Sequence, residues 1–331
     1  MNLGKSLGLT YGLPTRNAFG EALRELGHEN PDIVVVDGDV SNSTRTGYFA
    51  KDFPERFFDM GIAESTMIGV ASGLAASGKQ ALAASFSAFL LCNAYEQIRM
   101  SIAFPQLNVK LVGSHSGISV GEDGPSQMAI EDIALATALP HFIVLVPADE
   151  PSTRAATRAM FEHHGPVYLR TGRPQVPIVY TDGVPFEIGK ANRLDDATKT
   201  TEQDVTLIAC GLMVVAALEA ADQLAKEGIR ARVLDMHTIK PIDQEAITSA
   251  ARETSAIVTA EEHLLDGGLG SAVARVVTEQ YPVPVAMVGL RNQFAESGES
   301  QELLEKYGLM PADIVRAAIQ VLDRKRVLWT R

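Results

Sequence analysis

The sequence predicts an α/β protein of two domains, each built on a doubly wound, mostly parallel sheet. Short β-branched runs such as residues 33–36 alternate with helical periodicity along nearly the whole chain, and this alternation is typical of parallel sheets with helices on both faces. A segment with three prolines and a polar tract, residues 174–204, separates two such series. Because 331 residues suffice for two cores, we expect a first domain at 1–185, a linker at 186–194 and a second domain at 195–331.

In the first domain, apolar periodicity predicts a helix over residues 15–27, with Thr15 as its cap and Gly27 as its end. A second helix is expected after Glu64. The remaining elements predicted by the same criteria are strands at 33–36, 80–85, 109–112, 142–147 and 167–170, and helices at 130–139 and 153–164. The second domain is predicted to contain strands at 205–209, 232–235, 256–259 and 283–288, and helices at 216–226, 243–252 and 270–280.

Composition and charge exclude several classes of protein. The net charge of −12 and the pI of about 5.1 argue against a nucleic-acid-binding protein. No stretch approaches 18 uninterrupted apolar residues, so we expect no contact with a membrane. The start of the chain is a poor signal peptide. Cys92 and Cys210 both lie in apolar sequence, which predicts buried, reduced thiols in a cytoplasmic protein and no metal site in this chain.

Glu64 is the only charged residue between Asp59 and Lys79, within a long run of small and apolar residues. A carboxylate in such surroundings is expected to be partly desolvated and to need a partner. Two interpretations follow. Glu64 is either a first-turn residue that a helix N-terminus favours, or an acid that exchanges a proton with a bound molecule.

Two polar loops follow predicted strands, at residues 39–46 and 113–126. Open α/β sheets bind ligands at the carboxyl ends of their strands, so both loops are candidate ligand sites. Phe86 and Phe89 follow another strand, and their spacing fits either two core residues on one helix face or the wall of a pocket.

Six segments together resemble the second half of a transketolase, namely its pyrimidine-binding domain and its carboxyl-terminal domain. They are GIAES (61–65), FSAF (86–89), SHSGISVGEDGPS (114–126), YLRTGRP (168–174), HTIKPID (237–243) and EEHLLDGGLGSAV (261–273). The resemblance covers nearly the whole chain. The last two segments are shared with deoxyxylulose-phosphate synthases and the β subunits of 2-oxoacid dehydrogenases, whereas GEDGPS with the two phenylalanines is specific to transketolases.

The resemblance implies a role for each matching residue. Glu64 matches the glutamate that hydrogen-bonds N1′ of the aminopyrimidine of thiamine diphosphate and shares a proton with it. The resemblance implies further cofactor contacts from Phe86, Phe89 and Asp39. His115 is implied as a second catalytic residue that also contacts the sugar, and the other implied substrate contacts are Arg16, Ser43, Asp123, Gln127 and Arg170.

Gln127 departs from the family, which usually has a histidine near the donor sugar at this position. An amide forms hydrogen bonds but carries no proton at neutral pH. Either donor specificity is shifted, or catalysis relies on histidines of a partner chain.

A second departure concerns the diphosphate. The family holds Mg²⁺ and the diphosphate with a Gly-Asp-Gly motif and a downstream asparagine, whereas here Gly38-Asp39 is followed by Val40. The chain is therefore expected to be one subunit of a split transketolase. In that arrangement a separate amino-terminal subunit carries Mg²⁺ and the diphosphate site, thiamine diphosphate is shared between the subunits, and the assembly is a heterotetramer.

The resemblance thus implies transfer of a two-carbon ketol unit between phosphorylated sugars. Two alternatives stay open at this point. One is another thiamine diphosphate enzyme, similar to deoxyxylulose-phosphate synthase or to a 2-oxoacid dehydrogenase β subunit. The other is a non-catalytic paralogue that binds and regulates a partner chain.

Overall fold

The protein forms two mostly parallel sheets with helices packed on their faces, as the sequence predicts. The computed structural model describes residues 1–180, 186–195 and 203–329. The strands are β1 (Tyr11–Pro14), β2 (Ile33–Asp37), β3 (Phe57–Asp59), β4 (Gln80–Phe86), β5 (Val109–Ser114), β6 (Ile143–Leu145), β7 (Val167–Arg170), β8 (Gln175–Pro177), β9 (Asn192–Arg193), β10 (Val205–Ala209), β11 (Ala231–Asp235), β12 (Thr238–Lys240), β13 (Ile257–Leu264) and β14 (Val285–Leu290).

The helices alternate with these strands. They are α1 (Thr15–Glu29), α2 (Ser41–Thr44), α3 (Gly47–Asp52), α4 (Glu64–Ala76), α5 (Ser87–Asn93), α6 (Tyr95–Gln97), α7 (Asp132–Ala138), α8 (Glu150–Glu162), α9 (Met213–Lys226), α10 (Gln244–Thr254), α11 (Leu269–Gln280), α12 (Ser300–Lys306) and α13 (Pro311–Trp329). Short 3₁₀ segments occur at Lys5–Leu7, Pro54–Arg56 and Ile118–Val120, and a π-helical segment at Ile98–Ala103.

The first sheet has seven strands in the order β12-β6-β7-β5-β4-β2-β3. The six strands from the first part of the chain are parallel, and their central members are fully buried, as in β2 and β5. The second sheet has the order β14-β13-β10-β11-β9, in which β9 alone is antiparallel to its neighbour. The α/β class with two mostly parallel sheets is therefore confirmed.

Two strands cross the expected division of the chain. β12 belongs to the second part of the sequence but pairs antiparallel with β6 in the first sheet. β9 lies inside the predicted linker but pairs with β11 in the second sheet. The linker is therefore not a simple connector. The boundaries at 185 and 195 stay a prediction, and residues 181–185 and 196–202 lie outside the described residues.

Several local predictions need correction. Thr15 is the first residue of α1 rather than its cap, and α1 continues past Gly27 to Glu29. Gly27 allows a close approach, because a Cβ there would lie 2.5 Å from a Phe53 ring carbon. Cys92 is exposed rather than buried, although Cys210 is buried and both thiols are free. The helices α12 and α13 were not predicted from the sequence.

In the described part of the chain, no helix is long and apolar enough to cross a membrane. Location in the cytoplasm stays a prediction.

The two sheets share one hydrophobic core. A single cluster of buried residues contains Val34 and Leu111 from the first sheet together with Ile208 and Leu234 from the second. The domains are therefore packed as one unit across their boundary, and polar groups at that boundary are removed from water.

Arg170 is the central polar group of this boundary. Its Nε donates to Asp132 Oδ2 at 2.7 Å, and its Nη2 donates to the carbonyl oxygens of Ala129 and Glu262 at 3.1 and 3.0 Å. Tyr168 also donates to Asp132, at 2.7 Å. Although burial acts in the opposite direction, Arg170 holds the pKa of Asp132 below its ordinary value.

This placement argues against the predicted phosphate contact of Arg170. The Arg170 side chain is only 7 % exposed, and its guanidinium is committed to an ion pair and two carbonyls that join the domains. A dianionic sugar phosphate would have to displace Asp132 from a buried pair, which is strongly unfavourable.

We expect Arg170→Met to destabilise the protein by about 3–5 kcal/mol at neutral pH, because it leaves Asp132 as an uncompensated buried charge. The loss should shrink toward pH 4, where Asp132 can take up a proton in the folded variant. The control is Arg173→Met, since Arg173 is partly exposed and should cost less than about 1 kcal/mol. Denaturant unfolding at several pH values measures both effects, and equal losses would contradict a structural role specific to Arg170.

Candidate active site

The candidate site lies at the carboxyl edge of the first sheet, where β2, β4, β5 and β7 end side by side. In such sheets this edge is where ligands bind. Phe86 is the last residue of β4, and Asp39, Ser43 and His115 follow the ends of β2 and β5 within six positions. Arg16 joins them from the first turn of α1.

Glu64 is the first residue of α4 and is only 5 % exposed. Its Oε1 accepts a hydrogen bond from Ser85 Oγ at 3.4 Å, next to Phe86 at the end of β4. The turn before the helix contains Gly61 with φ of 68°, and Ile62 beside it is 82 % exposed. The carboxylate is thus buried near a helix N-terminus, which favours its charge, and it lies close to the strand that carries the aromatic pair.

Phe86 and Phe89 form a partly exposed aromatic surface. Their ring centroids are 5.7 Å apart with an interplanar angle of 14°, and the His115 ring stacks on Phe86 at 4.0 Å. Phe86 ends β4 and Phe89 lies in α5, so the pair does not occupy one face of a single helix. The flat surface is suited to stacking against a planar heterocycle.

His115 links this aromatic surface to a group of arginines. Its backbone adopts a positive φ of 58° directly after β5. Arg16 Nη1 lies 3.3 Å from its Nε2, and Ser114 Oγ lies 2.9 Å from its Nδ1. Because a guanidinium can only donate, Nε2 must accept, and the proton of the ring is therefore on Nδ1.

The electrostatic surroundings keep this imidazole neutral. Burial, followed by the charges of Arg16, Arg173 and Arg45, lowers the pKa of His115 to about 3. At neutral pH the ring therefore acts as a hydrogen-bonding and stacking group and adds no charge to the arginines around it.

Arg16, Arg45 and Arg173 form what we call the arginine cluster. Burial, and then the charges of Arg45 and Arg173, lower the pKa of Arg16 to about 10. Arg16 Nη1 donates to the carbonyl oxygen of Ser43 at 3.1 Å, but its buried Nε has no partner among the described residues. Like charges held together with an unused donor favour a bound anion, and forked guanidinium donors match phosphate oxygens.

Arg45 and Arg173 were not among the residues predicted from the sequence. Arg173 lies in the same segment, YLRTGRP, as the predicted Arg170, but it comes three residues after β7 ends. The rule that ligands bind beyond the carboxyl ends of strands could have favoured Arg173 over Arg170. For Arg45, its position in the polar loop after β2 was the available signal.

The loop of residues 117–127, here called the substrate loop, places Asp123 beside this cluster. Arg173 Nη1 donates to Asp123 Oδ1 at 3.2 Å and to the carbonyl oxygen of Val120 at 2.8 Å. Gln127 lies on the same loop, where its Oε1 accepts a hydrogen bond from Ser126. Within the described residues, no hydrogen bond joins Gln127 to the arginine cluster.

Asp39 is exposed after β2, with a positive φ of 62°. Asp37, two residues earlier and not among the predicted site residues, organises the segment around α2, which contains Ser43. The buried Asp37 carboxylate accepts hydrogen bonds from Val40 N, Thr44 Oγ1 and Thr46 Oγ1 at 2.7–2.8 Å. Burial nevertheless raises its pKa above the ordinary value.

A cavity of about 250 Å³ opens beside Arg16 and Arg173, and Gly298, Glu299 and Ser300 of the second domain form its opposite wall. This is below the range of about 300–1,000 Å³ typical of cavities that enclose whole drug-sized ligands, so it suits one end of a longer molecule. A larger cavity of about 510 Å³ lies along β14 and contains none of the predicted site residues.

Among the residues that the structure describes, no group of three or more His, Cys, Asp or Glu side chains is placed to hold a metal ion.

We expect His115 to remain neutral, with its proton on Nδ1, between pH 5 and 8. An unfolded histidine takes up a proton near pH 6.5, whereas His115 should not do so above about pH 3. This difference in pKa between the folded and unfolded protein makes the free energy of unfolding depend on pH. Its contribution to stability is fully present above pH 6.5 and is lost as the pH falls toward 3. Imidazole ¹⁵N shifts, assigned with His115→Gln, measure the tautomer, and a titration midpoint near 6.5 would contradict the geometry.

Comparison with known proteins identifies two family profiles along the chain. The family profile "Transketolase, pyrimidine binding domain" matches residues 12–178, and "Transketolase, C-terminal domain" matches residues 196–314.

The chain is 42% identical over 313 residues to a "Putative transketolase C-terminal section" of Methanocaldococcus jannaschii, with 94% of this chain and 96% of that protein covered. It is 41% identical over 310 residues to the "6-deoxy-6-sulfo-D-fructose transketolase subunit SqwH" of a Clostridium species, with 94% and 95% covered. A solved structure described as "Split gene transketolase, inactive beta4 tetramer" is 51% identical, with a TM-score of 0.88, and 95% of this chain and 100% of that chain are covered.

Two family profiles, relatives matched over almost their full length and a shared fold agree with the motifs and with the arrangement of the strand ends. The chain therefore belongs to the transketolase family, of which it spans the pyrimidine-binding and C-terminal domains.

Proposed function

We propose that this subunit transfers a two-carbon ketol unit between phosphorylated sugars, in an active site that it shares with a separate diphosphate-binding subunit. The observation that carries the proposal is that the aromatic surface beside Glu64 and the arginine cluster are in contact through His115. The Phe86–His115 stack at 4.0 Å joins the surface beside Glu64 to the arginine cluster. A planar cofactor and an anionic sugar bound on these two surfaces would be neighbours.

The residues present fit the aminopyrimidine end of thiamine diphosphate. Phe86 and Phe89 offer a planar apolar surface, and Glu64 offers a buried carboxylate. When bound, thiamine diphosphate supplies the carbon centre that carries the transferred unit. Glu64 would hold and share a proton with a ring nitrogen, while the phenylalanines orient the ring and exclude water.

The arginine cluster would hold the sugar phosphate. Arg16 and Arg173 replace the predicted pair of Arg16 and Arg170, and the neutral His115 can donate or accept hydrogen bonds without repelling the arginines. Ser43 and Asp123 are proposed as further contacts to the sugar, and Asp39 as a contact to the cofactor. An anion here would relieve the repulsion among three guanidinium groups.

A partner chain is proposed to complete the site. The sequence has no Gly-Asp-Gly motif for Mg²⁺ and the diphosphate, and both would be bound by that partner. Two large apolar side chains are exposed near Glu64 and α4. Ile62, two residues before Glu64, is 82 % exposed, and Phe104, directly after the π-helical segment that contacts α4, is 77 % exposed. Such exposure favours a protein interface, and we propose assembly into a heterotetramer. The relative described as an inactive beta4 tetramer supports the need for a partner.

The identity of the sugar rests on the substrate loop. One relative is named for 6-deoxy-6-sulfo-D-fructose, which carries a sulfonate instead of a phosphate. Gln127 occupies the position at which a histidine is usual in the family, and it can orient a donor only through neutral hydrogen bonds. We therefore propose a phosphorylated ketose as donor, with a selectivity shifted from that of transketolases that have the histidine.

We expect the isolated chain to show negligible affinity for thiamine diphosphate, because the aminopyrimidine surface alone offers little area for binding. With the diphosphate-binding subunit and Mg²⁺ present, binding should become micromolar or tighter, and ketol transfer between sugar phosphates should appear. Calorimetry and a coupled transfer assay measure the two effects. Tight cofactor binding by the isolated chain would contradict a site shared between subunits.

We expect Glu64→Gln to retain the fold and to lose about 10²–10⁴-fold in turnover, because an amide cannot exchange the proton. The control is Glu55→Gln, which changes an exposed carboxylate nine residues earlier in the chain and should leave turnover unchanged. Rates are measured at saturating cofactor in the complete assembly. If Glu64→Gln kept more than about a tenth of the wild-type rate, the proposed proton transfer would be wrong.

A further inference from the structure

The second domain holds the substrate loop through a buried carboxylate. Glu262, in β13, is only 5 % exposed, and its Oε1 accepts a hydrogen bond from the backbone N–H of Ser119 at 2.5 Å. Gly117 permits the approach, because a Cβ there would lie 2.3 Å from the carboxyl carbon of Glu262.

A second contact fixes the carbonyl oxygen of the same residue. Ser300, the first residue of α12, donates from its Oγ to the carbonyl oxygen of Ser119 at 2.7 Å. Farther along the loop, Gly124 has φ of 81°, and a Cβ there would lie 2.5 Å from Ser297 Oγ. The second domain therefore holds the loop at Ser119 and lies close to it at Gly124.

The next residue of the loop passes this constraint to the arginine cluster. The carbonyl oxygen of Val120 accepts from Arg173 Nη1 at 2.8 Å, and Asp123 accepts from the same atom at 3.2 Å. A continuous series of contacts thus runs from Glu262 through Ser119 and Val120 to the guanidinium of Arg173. Ser300 also lines the cavity that contains Arg16 and Arg173.

We propose that Glu262 and Ser300 are positioning residues, through which the second domain orients the substrate loop and fixes Arg173 for anion binding. Neither residue is needed for the chemistry itself. The kinetic part of this proposal rests on the proposed function, whereas the structural and anion-binding parts do not.

The chain contains a matched control for Glu262. Glu219, also in the second domain and also 5 % exposed, accepts from the N–H and the hydroxyl of Ser6 at 3.3 and 2.6 Å. It therefore makes the same kind of contact to a segment that, within the described residues, has no hydrogen bond to the substrate loop. A corresponding control for Ser300 is Ser271, whose Oγ donates to the carbonyl oxygen of Leu265 at 2.8 Å.

The first test is amide hydrogen exchange of the full chain. Glu262→Ala and Ser300→Ala should speed exchange in residues 117–127 by about tenfold or more, whereas Glu219→Ala should affect only the amino-terminal segment, and Ser271→Ala should leave the loop unchanged. Glu262→Gln should restore most of the protection, because its amide oxygen still accepts from Ser119. Ser300→Ala removes one partly buried hydroxyl, so it should fold even if Glu262→Ala does not.

The second test measures the affinity of the same variants for inorganic phosphate. Phosphate is titrated into each variant while the NMR signals of the Arg173 side chain are recorded. Glu262→Ala and Ser300→Ala should weaken phosphate binding by about tenfold, and the two controls should match wild type. In the complete assembly, KM for a phosphorylated donor should rise by a similar factor with little change in kcat, while an unphosphorylated ketose should show almost no change.

Unchanged exchange in the loop would overturn the proposal, and so would faster exchange with unaltered phosphate affinity, since the loop would then be held without orienting Arg173. Equal effects from Glu219→Ala and Glu262→Ala would also overturn it, by indicating general loss of stability. If the wild-type assembly performed no ketol transfer, the proposed function would fail, and the exchange and phosphate results would still decide the role of Glu262 and Ser300.

Discussion

The buried ion pair of Arg170 and Asp132 is the contact on which the rest of the structure depends. It lies where the two domains share a core, and Arg170 also donates to a carbonyl on each side of the boundary, at Ala129 and Glu262. A buried pair of this kind tolerates little displacement, because separating it leaves an unpaired charge in a medium of low dielectric constant. It therefore fixes the start of α7 and the end of β13 relative to the first sheet.

The candidate active site follows from that fixed geometry. Glu262 is held by its own carbonyl to Arg170, and its carboxylate in turn holds Ser119 of the substrate loop. The loop carries Asp123 and supports Arg173. The second domain, which contributes no residue to the aromatic surface, thus takes part in the geometry of the arginine cluster.

A locally positive site is compatible with a chain of net charge −12 because its arginines are brought together by the fold. Arg16, Arg45 and Arg173 converge on His115 and create a local positive potential, which a cleft of low dielectric constant strengthens. Their combined effect, added to burial, keeps His115 neutral, so the ring can stack on Phe86 and accept from Arg16 at the same time. Asp123 pairs with Arg173, whereas the buried Nε of Arg16 has no partner among the described residues.

The sequence alone determined the alternation of strands and helices, the burial of Glu64 at the start of α4, and the position of Phe86 and His115 at strand ends, because these depend on local periodicity and on chain order. Only the tertiary structure distinguished the surroundings of Arg170 from those of Arg173, although the two residues lie three positions apart in one motif. Arg170 ends a buried strand and meets Asp132, whereas Arg173 lies beyond the strand and faces the loop. The sequence likewise did not predict that β12 pairs with the first sheet or that Glu262 accepts a hydrogen bond from Ser119. Contacts between residues 90 to 150 positions apart depend on how the two domains pack.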